Sequence, residues 1–153
     1  MLTVRTLTAD DLALLRALNA VFAEAFEDPQ RYAAAPPSDD YLRDLLAGPA
    51  FIAIAVLDGA VVVGGLAAYE LRKFERAVSE IYLYDIAVAA SHRRRGIATA
   101  LIAHLRQIAA ARGTSVVYVQ AHREDAPAIA LYTKLGVGED VLHFDLAPDA
   151  GRD

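Results

Sequence analysis

The chain has no cysteine among its 153 residues, which excludes a disulfide framework, a thiolate metal site and a thiol nucleophile. Any chemistry must therefore come from carboxylates, histidine, tyrosine or backbone groups. Basic residues are also scarce, with 15 Lys and Arg against 20 Asp and Glu, giving a formal charge of −5. Nucleic-acid binding needs clustered cations, so this balance argues against it and suits a cationic substrate instead.

Long apolar runs are missing as well. The longest ones are interrupted by Asp or Gly, which excludes a membrane span, and Met1–Thr8 lacks the basic start and apolar core of a signal peptide. We therefore expect a cytoplasmic protein. The spacing of His92, His104, His122 and His143 is not typical of a metal site, so no metal is predicted.

The residues that are present indicate a globular protein, with 56% hydrophobic and 23% charged residues. The length suits one domain, which we place at residues 1–147, followed by a short flexible tail at residues 148–153. In the N-terminal third, the pattern predicts a strand at Thr3–Thr6, a helix from Thr8, a loop over Arg31–Pro37 and a helix capped by Ser38. Two antiparallel strands follow, Phe51–Leu57 and Ala60–Tyr69, joined by a turn at Asp58-Gly59. Gly64-Gly65 indicates a bulge or a close backbone approach.

A strand, a turn and a long helix follow. Ile81–Val88 is β-branched and aromatic, and from Gly96 the apolar residues Ile97, Leu101, Leu105 and Ile108 form one helical stripe that Gly113 ends. The next strand, Ser115–Gln120, pairs in parallel because the helix is a long crossover. A helix over Pro127–Leu135 and a last strand, Val141–Leu146, complete the predicted α/β order.

The turn before the long helix is a candidate anion site. The first N–H groups of a helix lack internal partners and carry partial positive charge. Arg93, Arg94 and Arg95 add cations, and the small residues Gly96 and Ala98 allow close approach of a diphosphate. A solvated basic turn is the alternative.

The segment Arg93-Arg94-Arg95-Gly96-Ile97-Ala98 resembles the Arg/Gln-x-x-Gly-x-Gly/Ala pyrophosphate loop of the GCN5-related N-acetyltransferases (the GNAT superfamily), and like theirs it follows a strand ending Asp-Ile-Ala-Val. Residues 79–88, 92–102, 118–121, 130–136 and 143–145 are similar to the aminoglycoside 3-N-acetyltransferases of that superfamily. The resemblance covers nearly the whole chain. It implies a central mixed, mostly antiparallel sheet with a splayed parallel strand pair and flanking helices.

The resemblance also implies acetyl-CoA as co-substrate, held where the strands ending at Val88 and Gln120 splay apart. Unpaired backbone groups of the strand that ends at Val88 would bind the pantetheine amides. One backbone N–H of that strand would also polarise the thioester carbonyl. Asp125 stands where many members carry Asn, and it is alternatively placed to cap the next helix. The implied acetyl-CoA contacts are Ile86, Ala87, Val88, Arg93, Arg94, Arg95, Gly96, Ile97, Ala98, Thr99, Gln120, Asp125 and Tyr132.

Attack by an amine with a pKa of about 10.4 requires a proton acceptor. Glu80 or Asp85 could act, directly or through water, although a structural role for either remains the alternative. Ideal alternation places the two on opposite faces of the strand, so joint action requires a bulge between them. Members of the superfamily that the chain resembles often have a bulge at this place, so we predict one here. By resemblance Tyr132 is the general acid for the departing thiolate; the alternative is a core tyrosine.

The resemblance implies that the enzyme acetylates the 3-amino group of an aminoglycoside by direct transfer in a ternary complex. This acetylation would confer resistance to the antibiotic. The residues alone indicate only a cationic amine, so a polyamine or a protein or peptide amine fits equally, and a non-catalytic acyl-CoA-binding module stays open. Many relatives form dimers, so a homodimer is possible. The candidate amine contacts are Glu80, Tyr82, Tyr84, Asp85, Glu124 and Asp145, with Glu24, Glu27, Asp28, Asp39 and Asp40 over the predicted acceptor pocket; His143 lies beside Asp145.

Overall fold

The computed structural model describes residues 1–151. The elements, in order, are β1 (Leu2–Thr6), α1 (Leu12–Ala25), α2 (Pro29–Ala33), α3 (Asp39–Ala47), β2 (Phe51–Asp58), β3 (Val61–Arg72), β4 (Ser79–Val88), a short 3-10 turn (Ala90–His92), α4 (Ile97–Ala111), β5 (Val116–Val119) and α5 (Ala126–Leu135). Internal contacts divide the chain into two compact units, one ending at Gln120 and one starting at Ala121.

The first unit is built on one five-stranded sheet in the order β1-β2-β3-β4-β5. The first three pairs are antiparallel, while β4 and β5 are parallel because the long helix α4 carries the chain back between them. The predicted mixed sheet with one parallel pair and flanking helices is therefore confirmed.

Apolar side chains from the sheet and from α1 and α4 fill the core. Leu18, Leu66, Ile81 and Leu101 are fully buried, and burying each such side chain stabilises the fold by about 1.5–3 kcal/mol. The stripe predicted for α4 faces this core through Ile97, Leu101 and Leu105, and Gly113 takes the expected left-handed conformation after the helix. The extent of α4 therefore follows from its apolar stripe and from the glycine that ends it.

Of the two alternatives that the sequence indicates for the glycine pair of β3, the pair itself shows the close approach, and a bulge lies just before it. A Cβ at Gly65 would lie 2.5 Å from Leu18 Cδ1 and would also clash with the carbonyl oxygen of Ile54. Val63 is the extra residue where the register between β2 and β3 shifts. Gly65 thus lets α1 pack directly on the sheet.

The predicted bulge in β4 is confirmed. Ala67 pairs with Asp85 and Ala68 with Leu83, so Tyr84 is the extra residue between them. Side chains alternate across a strand, and the extra residue brings Asp85 onto the face that carries Tyr82 and Glu80. The bulge therefore aims Asp85 at the side covered by α1.

Two helix predictions need correction. Helix α1 begins at Leu12, not Thr8, because Asp11 accepts hydrogen bonds from the Thr8 backbone N–H (2.9 Å) and from Arg5 Nη2 (2.6 Å), which holds the preceding residues in a turn. The predicted loop is wrong where α2 forms, since Asp28 caps that helix by accepting from Arg31 N (3.1 Å). Ser38 caps α3 as predicted.

Strand bounds differ modestly from the prediction. Asp58 pairs with Val61, so the β2–β3 turn is Gly59-Ala60, with Gly59 at a positive φ of 62°. Strand β3 extends to Arg72 because its last residues pair with Glu80 and Ser79. Strand β5 is shorter than predicted, at four residues. No helix in the described residues is long and apolar enough to cross a membrane.

The second unit contains α5, which begins behind the cap residue Asp125 and ends before Gly136. The predicted strand Val141–Leu146 is wrong: residues 137–151 contain no strand. Alternating apolar residues favour a strand, but a strand also needs an edge to pair with, and this segment pairs with none in the described chain. Its apolar side chains remain exposed.

Candidate active site

The turn before α4 has the backbone of an anion-binding loop. Arg94 and Gly96 both adopt positive φ, at 62° and 74°, and Gly96 is the N-cap of α4. No side chain caps this helix, and its first turn contains no acidic residue, so its N–H groups are not capped from within the loop. Left-handed backbone on a non-glycine residue costs about 1–2 kcal/mol, so the loop holds Arg94 in a strained conformation, as the turn after α1 holds Glu27.

The charges of the turn match its backbone. Arg93, Arg94 and Arg95 are exposed, and none pairs with a carboxylate within residues 1–151. Cations at a helix N-terminus repel its dipole unless an anion is bound. His92 anchors the loop, with Nε2 lying 3.0 Å from Asp58 Oδ2 at the end of β2. The site fits a diphosphate.

Strands β4 and β5 separate beside this turn. Their pairing ends at Leu83 and Val119, whereas β4 continues to Val88, and its last residues pair only with β3 in the described structure. One edge of Ile86–Val88 is thus open. Arg93 Nε donates to the carbonyl of Val88 (3.3 Å), and Tyr82 Oη donates to Gln120 Oε1 (2.8 Å), so the open edge has a polar side chain at each end.

A cavity of about 820 Å³ lies within the first unit, between α1–α3 and the face of β3 and β4. Its lining is mostly apolar and aromatic, and Asp85 is one of its few charged groups. Such a concave site with few polar groups is typical of small-molecule binding. The aromatic and acidic residues that line it are Phe22, Tyr32, Tyr41, Phe51, Tyr69, Glu24, Glu27 and Asp85.

Asp85 is partly buried and hydrogen-bonded in this cavity. Tyr32 Oη donates to its Oδ1 at 3.2 Å. Burial raises the pKa of Asp85, while the Tyr32 hydrogen bond and the nearby Arg31 charge oppose that rise. The pKa of Tyr32 is raised to about 12, by burial first and then by the Asp85 charge. Tyr32 therefore stays protonated as the donor.

The other predicted carboxylate has a different setting. Glu80 shares a sheet face with Asp85, but its Oε1 lies 3.2 Å from Lys73 Nζ in an ion pair, and Glu80 does not line the cavity. Tyr82 and Tyr84 also lie outside the cavity lining. Tyr82 stacks on Tyr118 with ring centroids 4.7 Å apart. Tyr84 Oη accepts from Arg31 Nη2 at 3.0 Å.

Of the five N-terminal acids, the structure places only Glu24 and Glu27 in the cavity lining. Asp28 caps α2, Asp39 pairs with Arg16 (2.6 Å), and Asp40 lies 3.8 Å from Arg43. Sequence reasoning missed Arg31 and Tyr32. A sequence signal for the helix that carries them exists in Asp28-Pro29, a cap residue followed by proline, which starts a helix.

In the second unit, Tyr132 is half-buried on α5. Burial raises the pKa of its phenol, and the Asp125 charge adds to the rise. Asp125 is the helix cap, accepting from Ala128 N at 3.2 Å, and Glu124 is exposed beside it. Asp145 Oδ1 lies 2.8 Å from His143 Nε2. No group of three metal-ligating side chains occurs among residues 1–151.

Comparison with known proteins agrees with this geometry. A family model described as the acetyltransferase (GNAT) family matches residues 15–137. The ribosomal protein bS18 alanine N-acetyltransferase of Escherichia coli (strain K12) is 31% identical over 85 residues, so the match spans just over half of each protein, at 56%.

Two crystal structures from uncultured soil metagenomic samples are similar over nearly the whole chain. The aminoglycoside acetyltransferase HMB0005 has a TM-score of 0.95 and 54% identity, covering 97% of this chain and 99% of that one. The aminoglycoside acetyltransferase meta-AAC0020, in complex with sisomicin, has a TM-score of 0.89 and 28% identity, covering 97% of each chain. The family match and these structures show that the chain belongs to the acetyltransferase (GNAT) family, whose enzymes use acetyl-CoA.

Proposed function

We propose that this enzyme transfers an acetyl group from acetyl-CoA to an amino group of an aminoglycoside, by direct transfer in a ternary complex. The observation that carries the proposal is the cavity with Asp85 on its wall, close along β4 to the open edge of Ile86–Val88. An amine in the cavity would meet a carboxylate, while a thioester along that edge would meet free backbone groups. The likeness to two aminoglycoside acetyltransferases supports the substrate class.

The turn before α4 is the proposed binding site for the CoA diphosphate. The uncapped N–H groups of the first turn, through Ile97, Ala98 and Thr99, face the anion, and the three arginines neutralise it. The backbone of Ile86, Ala87 and Val88 binds the pantetheine arm, and Gln120 closes the far side of the opening. Asp125 caps α5. Its proposed contribution to cofactor binding is therefore to hold the N-terminus of that helix in place.

Asp85, not Glu80, is the proposed base. Asp85 lines the cavity with one oxygen free of the Tyr32 hydrogen bond, whereas Glu80 pairs with Lys73. A raised pKa makes an ionised Asp85 a better proton acceptor, provided that the pH is above it. Tyr132 is the proposed acid, because a phenol with a raised pKa is fully protonated at neutral pH and can donate to a thiolate.

The 3-amino position is proposed from the sequence blocks that resemble the 3-N-acetyltransferases. Tyr82, Tyr84, Glu124 and Asp145 remain proposed as outer contacts to a polycationic acceptor. Acylated antibiotic would lose affinity for its target, so expression should confer resistance. A second candidate is acetylation of a protein N-terminal amine, favoured by the Escherichia coli relative with 31% identity.

Thiol release from acetyl-CoA should be followed with sisomicin, spermidine and a peptide that begins with alanine. We expect release with sisomicin and an NMR spectrum of the product acetylated at the 3-amino group. Release with the peptide alone would replace the proposed substrate by the second candidate. Binding of CoA by calorimetry without release for any acceptor would indicate a non-catalytic module.

A further inference from the structure

Helix α2 places two side chains against consecutive residues of the β4 bulge. Tyr32 donates to Asp85 Oδ1 (3.2 Å), and Arg31 donates to Tyr84 Oη (3.0 Å). The partners are 53 residues apart in the chain in both cases. The bulge therefore carries a carboxylate and a phenol that both bond to side chains of α2, and the carboxylate contact lies in the cavity lining.

From this arrangement we infer that Tyr32 is a positioning residue for the transfer: its hydroxyl donates to one oxygen of Asp85 and orients the carboxylate, so that the other oxygen accepts the proton of the incoming amine. The inference rests on the proposed function of Asp85. A carboxylate that rotates freely would present its lone pairs to the amine only part of the time.

The Tyr32 ring is itself held in place. It packs against Phe26 with ring centroids 5.6 Å apart and against the edge of Phe22 at 6.1 Å. Asn19 Nδ2 donates to the Tyr32 backbone carbonyl, which ties α2 to α1. A phenol fixed by both ring and backbone can hold a carboxylate in one orientation without losing further side-chain entropy.

The direction of the proton is settled by the charges around the pair. Tyr32 remains protonated up to a pKa of about 12, so it donates, and Asp85 accepts. The hydrogen bond and the Arg31 charge both favour ionised Asp85 against burial. The other titratable groups that face Asp85 are Tyr69 of β3 and Tyr82 of β4, while Tyr84 lies near Tyr32. Arg16, Glu24, Glu27 and Tyr41 line the same cavity from α1, the following turn and α3.

The test is Tyr32→Phe, which removes the hydroxyl and keeps the ring packing. Loss of one hydrogen bond to a charged group should raise the pKa of Asp85 further, and we expect the acid limb of the kcat profile to move up by about one pH unit. At pH values on that limb, kcat should fall about tenfold, while the KM for acetyl-CoA stays unchanged. The Asp85 carboxyl carbon, followed by NMR, should titrate at a correspondingly higher pH.

Tyr41→Phe is the matched control. It deletes the same atom from another wall of the cavity, where the hydroxyl makes no hydrogen bond within residues 1–151. Its acid limb should coincide with that of the parent, whatever happens to the acceptor KM. Arg31→Met is a second variant that removes the cation beside the pair, and it should shift the limb in the same direction as Tyr32→Phe.

Asp85→Asn separates the possible failures. An inactive Asp85→Asn together with parent-like pH profiles and carboxyl titration in Tyr32→Phe and Arg31→Met would overturn the positioning role alone. A fully active Asp85→Asn would overturn the proposed base and the positioning role with it. A thermal melt of each variant shows whether lost activity reflects lost folding.

Discussion

At the scale of single residues, Asp85 shows a conflict between stability and chemistry. Its pKa in the folded protein is raised, so the folded state binds its proton more tightly than the unfolded chain does. The stabilisation from protonated Asp85 is fully present below the unfolded pKa and is lost as the pH rises through the folded pKa. At neutral pH the ionised carboxylate therefore destabilises the fold while it serves as a base.

Asp85→Asn should separate these two effects. The amide cannot ionise but can still accept the Tyr32 hydrogen bond, so we expect a higher Tm than the parent at pH 8, with the difference shrinking towards pH 4. Turnover should fall by about 10²–10⁴-fold, the usual contribution of a general base. Melting curves and thiol release across this pH range test both parts. A Tm below that of the parent at pH 8 would contradict the burial argument.

Some residues of the candidate site could be predicted from the sequence, and others could not. Asp85 and the arginine turn were predicted, because the helix start follows from the local pattern and the resemblance to the GNAT superfamily supplied the bulge that alternation alone does not predict. Tyr32 was not, because it meets Asp85 across 53 residues and no spacing encodes that contact. Glu80 and Asp85 looked equivalent in the sequence, and only the Lys73 ion pair and the cavity distinguish them.

At the scale of elements, the turn and α4 act together as a proposed diphosphate site. Replacing Arg93, Arg94 and Arg95 by Glu should raise the Kd for CoA by at least tenfold, because three cations become anions beside the bound phosphates. Calorimetry with CoA needs no acceptor and so measures binding alone. Arg43→Glu, an exposed change of the same kind on α3, should leave the Kd unchanged. Equal Kd values for all three proteins would rule out this site.

The packing of α1 on the sheet depends on Gly65. The Cβ of Gly65→Ala would collide with Leu18 and with the Ile54 carbonyl, and such overpacking costs about 1–3 kcal/mol. Because α1 also walls the cavity, the acceptor KM should rise while the Kd for CoA stays constant. Gly138→Ala is the control, since its Cβ meets nothing within 4 Å. Denaturant unfolding and steady-state kinetics decide the outcome, and an unchanged stability would show that α1 can shift freely.

Element prediction succeeded where one signal acted alone and failed where two competed. Strands β2, β3 and β4 and helix α4 follow from continuous apolar patterns. Helix α2 was missed because the alanines and prolines of Arg31–Pro37 were interpreted as a loop, although Asp28-Pro29 just before them starts a helix. The strand at 141–146 was predicted from alternation, but pairing decides whether a strand forms.

At the scale of the whole molecule, the second unit leaves several large apolar side chains exposed, and contiguous exposed apolar surface is typical of an interaction site. No residue from 121 to 151 is buried, and the exposed fractions of Leu142, Phe144 and Leu146 are 81%, 75% and 89%. An exposed apolar segment present in every copy suits pairing with a second copy, since a twofold axis buries both segments at once. This is the physical reason to expect a homodimer.

Light scattering after size exclusion should therefore give about twice the mass of one chain at micromolar concentration. Leu142→Glu with Phe144→Glu should shift the protein to monomer, because a charge buried without a partner costs several kcal/mol. Val61→Glu is the control: Val61 is 63% exposed at the start of β3, outside this segment, and the change should leave the mass unchanged. A parent protein that elutes as a monomer would contradict the expectation, and the apolar segment would then need a different partner.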